Sequence, residues 1–217
     1  MKIIINVSEN YYEQLLSFTI RSSIDNVNLI LNFIDYILNY HCHDDLNNSS
    51  IHKIAIIKNE GFRIIFQEPN KIFSICLPFK ITLLENGFEV SDKKIGKISN
   101  QELSLLKRIF NSQNICNLTD PLEVYSNIEE IFEDYPDLTW STEDIWNKFI
   151  NLMTYDFGYI RFDEDAKNAN GKIHPLFHFD LSYCNHATYK FGLNKNLSLD
   201  KFTDIFNPNT DQLYINL

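Results

Sequence analysis

Imidazole, carboxylate and guanidinium groups are concentrated in one stretch of this chain, Asp156 to Leu193, which reads DFGYIRFDEDAKNANGKIHPLFHFDLSYCNHATYKFGL. His174, His178 and Asp180 lie close together there, with Arg161 and Asp163 a short way upstream. Neutral imidazole suits zinc and other transition metals, and a carboxylate beside it extends the range to manganese. The expected metal ligands are therefore His174, His178 and Asp180, with zinc or manganese as the cofactor. The same groups can also work without a metal. His178 would act as general base, Asp180 would fix its tautomer, and Arg161 would stabilise an anionic group. The competing expectation is a solvated sheet face, on which Asp180 pairs with Lys190 and contributes only ~0–1 kcal/mol.

Either reading needs these side chains on one face of a strand. From His174 to Tyr183, alternation puts Pro175, Phe177, Phe179, Leu181 and Tyr183 on an apolar face. His174, His178, Asp180 and Ser182 fall on the other, with Leu176 as the one apolar intruder. The run Ala187 to Leu193 alternates in the same way. Pairing polar face with polar face requires even-numbered residues to oppose even-numbered ones. A three-residue turn at Cys184-Asn185-His186 meets that condition and sets Asp180 opposite Lys190. Upstream, Tyr159, Arg161 and Asp163 share a side, and the loop Glu164 to Lys172 leads back to the His strand. A three-stranded antiparallel unit follows, its register across the first turn left open.

Other candidate sites are weaker. Read as a calcium loop from Asp163, the chain presents Lys167 and Asn168 where an oxygen ligand and a glycine are needed, so a solvated acidic turn is expected. His41-Cys42-His43 with His52 matches no zinc spacing and reads as a loop ending a helix. Cys184 has no visible feature to activate it as a nucleophile.

The positioning elements define an α+β class, strands falling in two blocks rather than alternating with helices. MKIIINV resembles a strand rather than a signal peptide. Residues 8–40 carry a helical period, with Ser22 or Ser23 as a cap. Residues 51–90 form an antiparallel meander of short β-branched and aromatic runs, punctuated by Asn59-Glu60-Gly61, Glu68-Pro69-Asn70 and Glu85-Asn86-Gly87. Three helices follow, begun by Ser99 with Glu102, by Asp120 before Pro121, and by Ser141 or Thr142. After the His-bearing strands, Ser198 starts a short closing helix, and Leu213 to Leu217 reads as a last strand. The chain is expected to be a single domain, 1–217, with a subdivision near residue 98 as an alternative.

A net charge of −10 repels nucleic-acid backbone, so general nucleic-acid binding is not expected without a basic patch, and the sequence has none. Four scattered cysteines fit free thiols in a reducing compartment. No run approaches the length of a membrane span. These features predict a cytoplasmic protein whose partner is another protein.

Arg161-x-Asp163, a short loop, His174-Pro175-x-x-His178, a second strand and a short helix before the C-terminus resemble a bacterial domain-of-unknown-function family. Its members have an Arg-x-Asp hairpin and a His-Pro-x-x-His strand and often lie near mobile or defence genes. Asp180 stands where that family often has a second histidine, and its proline before the last helix is missing here. That family has no established activity, so the resemblance implies a bacterial cytoplasmic setting and little more. Two functions result. The favoured one is a partner-binding component of a defence or toxin–antitoxin-like module; the alternative is a metal-assisted hydrolase acting on a phosphodiester or nucleotide, with His178, Asp180 and Arg161 as catalytic groups.

Overall fold

Alternating β-branched residues at the start of the chain build β1 (Lys2–Ser8), which pairs antiparallel with β2 (Ile51–Lys58). The computed structural model describes residues 2–40, 51–58, 61–92, 96–117, 120–171, 173–184, 186, 189–207 and 209–210. The chain forms two compact units, each discontinuous in sequence. One comprises Met1–Glu9, Ser49–Cys76 and Phe157–Leu217; the other comprises Asn10–Asn48 and Leu77–Asp156.

The first unit is a seven-stranded sheet in the order β1-β2-β3-β4-β8-β9-β10. Its remaining strands are β3 (Phe62–Glu68), β4 (Lys71–Leu77), β8 (Ile160–Glu164), β9 (Phe177–Asp180) and β10 (Lys190–Leu193). The C-terminal strands are therefore not a separate three-stranded unit. β8 returns to β4, with Ile72 opposite Phe162 and Phe73 opposite Arg161, so they extend the sheet begun by the meander. One face buries Ala55, Ile57, Ile65, Ile72, Phe162 and Phe179 with Leu197 and Phe202. Phe202 belongs to the closing helix α7 (Leu199–Asp204), capped by Ser198 as the sequence predicts. The alternation of β9 puts Phe177 and Phe179 on this helix-covered face and His178 and Asp180 on the other, also as expected.

The second unit contains α1 (Glu9–Leu15), α2 (Ser23–Leu38), a small sheet of β5 (Lys80–Leu84), β6 (Gly87–Asp92) and β7 (Gly96–Lys97), then α3 (Asn100–Asn111), α4 (Gln113–Cys116), α5 (Pro121–Phe132) and α6 (Thr142–Met153). The helical period over 8–40 is thus interrupted. Asp25 accepts from the backbone amides of Arg21 and Ser22, and the Ser22 hydroxyl accepts from Asp25. This capping box starts a new helix instead of continuing α1. Equivalent boxes form at Ser99 with Glu102 and at Ser141 with Asp144, while Asp120 caps α5 with Pro121 in its first turn. Four helices rather than three follow the meander, α4 being a single turn. The expected strand Leu213 to Leu217 and the loop His41-Cys42-His43 lie outside the described residues.

Tyr11 makes the stability of the second unit pH-dependent. Its hydroxyl donates to the Asn32 carbonyl at 2.9 Å, and its ring stacks on Tyr36 at 4.3 Å. Burial first, then the nearby Asp35 charge, push its pKa up from 10.0 to about 12. The folded state therefore holds the phenol's proton more tightly than the unfolded chain does. That contribution is complete below pH 10 and is lost as pH rises toward 12. Tyr11→Phe should flatten the alkaline loss of stability in urea unfolding; equal slopes in wild type and variant would refute the assignment.

Candidate functional site

Register decides which side chains meet on the sheet face opposite α7. Across β4, β8, β9 and β10, Phe73, Arg161, Asp180 and Lys190 form one row of directly opposed residues. Lys71, Asp163, His178 and Gly192 form the next. The first row places one carboxylate between two cations, a favourable cross-strand sequence of charge. The Asp180–Lys190 pairing inferred from the alternation is present. Among the described residues the pairing of these strands ends at Asp180 and resumes at Lys190, and the three-residue turn expected at Cys184-Asn185-His186 falls partly outside them.

His178 is fully buried, Asp180 is 3% exposed, and the Asp163 side chain is 15% exposed. A solvated face does not describe this arrangement. The Nδ1 of His178 lies 2.8 Å from the Pro175 carbonyl, which can only accept, so Nδ1 carries the hydrogen. Nε2 is then the lone-pair nitrogen, and the Lys190 ammonium donates to it at 2.8 Å. Lys190 also donates to both Asp180 oxygens, at 3.1 and 3.3 Å. The Arg161 guanidinium donates to Asp163 from Nε at 2.8 Å and bridges to Asp180. Burial works against its charge, but Tyr159, Asp163 and Asp180 outweigh that effect and raise its pKa. Tyr159, on the same side of β8, is itself pushed up mainly by burial. At the far end of β9, Pro175 packs so closely on Gly192 that an added Cβ would stand 2.8 Å from the proline Cγ.

Three potential ligand atoms, one each from Asp163, His178 and Asp180, lie within 4.8 Å of one another. This group could hold a metal ion. Nε2 of His178 is 3.7 Å from Oδ2 of Asp163 and 4.0 Å from Oδ2 of Asp180. Ligand atoms around a tetrahedral ion are about 3.3–3.5 Å apart, so closure on an ion needs these separations to shorten by up to about 1.5 Å.

His174 does not join the group as expected. Its Nε2 lies 3.0 Å from Oδ2 of Asp165, in the segment between β8 and β9. Asn168 first, through its side chain, and then His174 hold the Asp165 carboxyl below its ordinary range. His174 precedes the strand, where the Asn170–His174 bridge sets its direction instead of the β9 pleat. Its ring meets His178 edge-on at 4.9 Å, which places it beside the group as a neighbour. The third ligand position falls to Asp163, directly opposite His178 on β8. Lys190 as a partner of His178 was not evident in the sequence, although the same register that pairs it with Asp180 brings it there.

Comparisons with protein-family models, with curated proteins and with solved structures find no match to this chain.

Proposed function

We propose that Asp163, His178 and Asp180 form a divalent-cation centre, for zinc or manganese, in a hydrolase acting on a phosphodiester or nucleotide. The observation that carries this reading is their approach within 4.8 Å, with Nε2, the lone-pair nitrogen of His178, 3.7 and 4.0 Å from the two carboxylates. Burial adds support. Fully paired buried charges are no more stabilising than apolar side chains of similar volume, so stability alone gives little reason for this group. A bound ion would polarise a phosphoryl oxygen and acidify a water molecule. Arg161 would hold both carboxylates in place, and Lys190 would supply positive charge toward an anionic substrate. The test is metal analysis of the purified protein with hydrolysis of bis(p-nitrophenyl) phosphate. Stoichiometric zinc or manganese, lost in His178→Ala and in the milder Asp163→Asn, is the expected result. Protein that binds neither ion when supplied in excess would refute the centre.

A second reading has its own observation. Ile173, Leu176, Leu181, Tyr189 and Phe191 are large apolar residues left exposed in or beside the β9–β10 pair. Phe191 lies directly opposite Phe179 and shares its sheet face, and Leu181 and Tyr189 stand just beyond the paired residues. Such clustering fits a protein-docking surface, as a partner-binding component of a bacterial defence or toxin–antitoxin-like module would need. Leu181→Asp combined with Tyr189→Lys should release a co-purifying partner if this reading holds. It predicts no dependence of that partner on zinc or manganese.

A further inference from the structure

The two cations beside Asp163, His178 and Asp180 are held differently. Arg161 rises from β8, inside the sheet between β4 and β9, and its planar fork spans both carboxylates. Lys190 comes from β10, the last strand in the order, and its side chain is 33% exposed. Its ammonium contacts Nε2 of His178 and both oxygens of Asp180, which are ligand atoms of the proposed cation centre. An ammonium has three donors and no lone pair, so it satisfies these atoms as a cation would but cannot serve as a fellow ligand. A divalent ion using the same atoms would stand within a few ångströms of it, and like charges at that range repel strongly in a partly buried site.

We propose that Lys190 is the resident counter-cation of the centre and that binding of a divalent ion displaces its ammonium toward solvent. This inference rests on the metal-centre reading above. It follows from a flexible, partly exposed stem on the last strand of the sheet among the described residues, set against an arginine on a strand between β4 and β9. It also identifies the substrate class. With Lys190 in place, Arg161 and Lys190 balance Asp163 and Asp180 around a neutral His178. With the ion bound and Lys190 displaced, the same two carboxylates face Arg161 and a doubly charged ion, leaving an excess of positive charge. The displaced ammonium adds a further donor at the rim. Loading thus converts a neutral cluster into one that attracts an anion, and a phosphate ester is the substrate that fits.

Calorimetric titration with zinc and with manganese would compare wild type, Lys190→Met and Lys71→Met. Lys71 lies on the same face, opposite Asp163, and reports the general effect of removing a positive charge. In parallel, acetylation of Lys190 by acetic anhydride would be followed by mass spectrometry with and without the ion. Displacement predicts that Lys190→Met binds the ion roughly tenfold more tightly or better, because an occupied ground state weakens binding in proportion to its population. Lys71→Met should gain much less, and the ion should speed acetylation of Lys190 in wild type. Ion binding that leaves Lys190 labelling unchanged, with no gain in Lys190→Met, overturns the displacement and leaves the metal centre standing. Absence of ion binding in both wild type and a folded Lys190→Met overturns the centre itself. Should Lys190→Met fail to fold, the wild-type labelling decides alone.

Discussion

Asp180→Ala is expected to destabilise the protein by about 3 kcal/mol, the lower end of the loss seen when one member of a buried ion pair is removed. Asp180 is 3% exposed and is contacted by both Arg161 and Lys190. Truncating it leaves two cations sharing Asp163 in a site with little water. The low end applies because the Arg161 and Lys190 side chains are 27% and 33% exposed and can turn partly outward. Urea unfolding of Asp180→Ala, Lys190→Ala and the double variant would measure this. The double variant should lose less than the sum of the single losses, since removing Lys190 takes away a charge that Asp180 no longer balances. Additive losses would mean that the two groups are not coupled as their 3.1 Å contact implies.

Phe202→Ala should cost about 3–5 kcal/mol, the usual range for deleting a buried ring that the surroundings cannot refill. Phe202 is fully buried in a core cluster with Ile57, Ile65, Ile72, Phe162 and Phe179, residues contributed by five different strands. It also contacts Phe179 at 6.2 Å and Phe206 at 5.5 Å between ring centroids. A helix of six residues cannot hold itself together in water, so α7 depends on this anchor. Phe202→Leu, which retains much of the volume, should lose far less, about 1–1.5 kcal/mol. Equal small losses in both variants, read from urea unfolding, would show that α7 does not close this face of the sheet. A loss confined to Phe202→Ala would also loosen β9, whose Phe179 meets the ring. The approach of His178 and Asp180 to Asp163 would then suffer with it.

What the sequence by itself determined about this protein is local. Ser22 with Asp25, Ser99 with Glu102, Ser141 with Asp144, Asp120 before Pro121 and Ser198 each mark a helix start, because a cap is satisfied within three residues. Asn86-Gly87 marks the β5–β6 hairpin, where Gly87 has a φ of 127° that other residues rarely adopt. The pleat separates Phe177 and Phe179 from His178 and Asp180, and parity together with a turn expected at Cys184-Asn185-His186 sets Asp180 opposite Lys190. Tertiary structure decided the rest. β8 meets β4 after more than eighty intervening residues, and no local preference acts over that distance. The row Ile72, Phe162, Phe179 and Phe191 aligns because a slip of one residue would drive Arg161 or Asp180 into the core under Phe202. That apolar alignment on one face sets Asp163 against His178 on the other, and so makes Asp163 the third member of the group that could hold a metal ion, a place that spacing along the chain had assigned to His174.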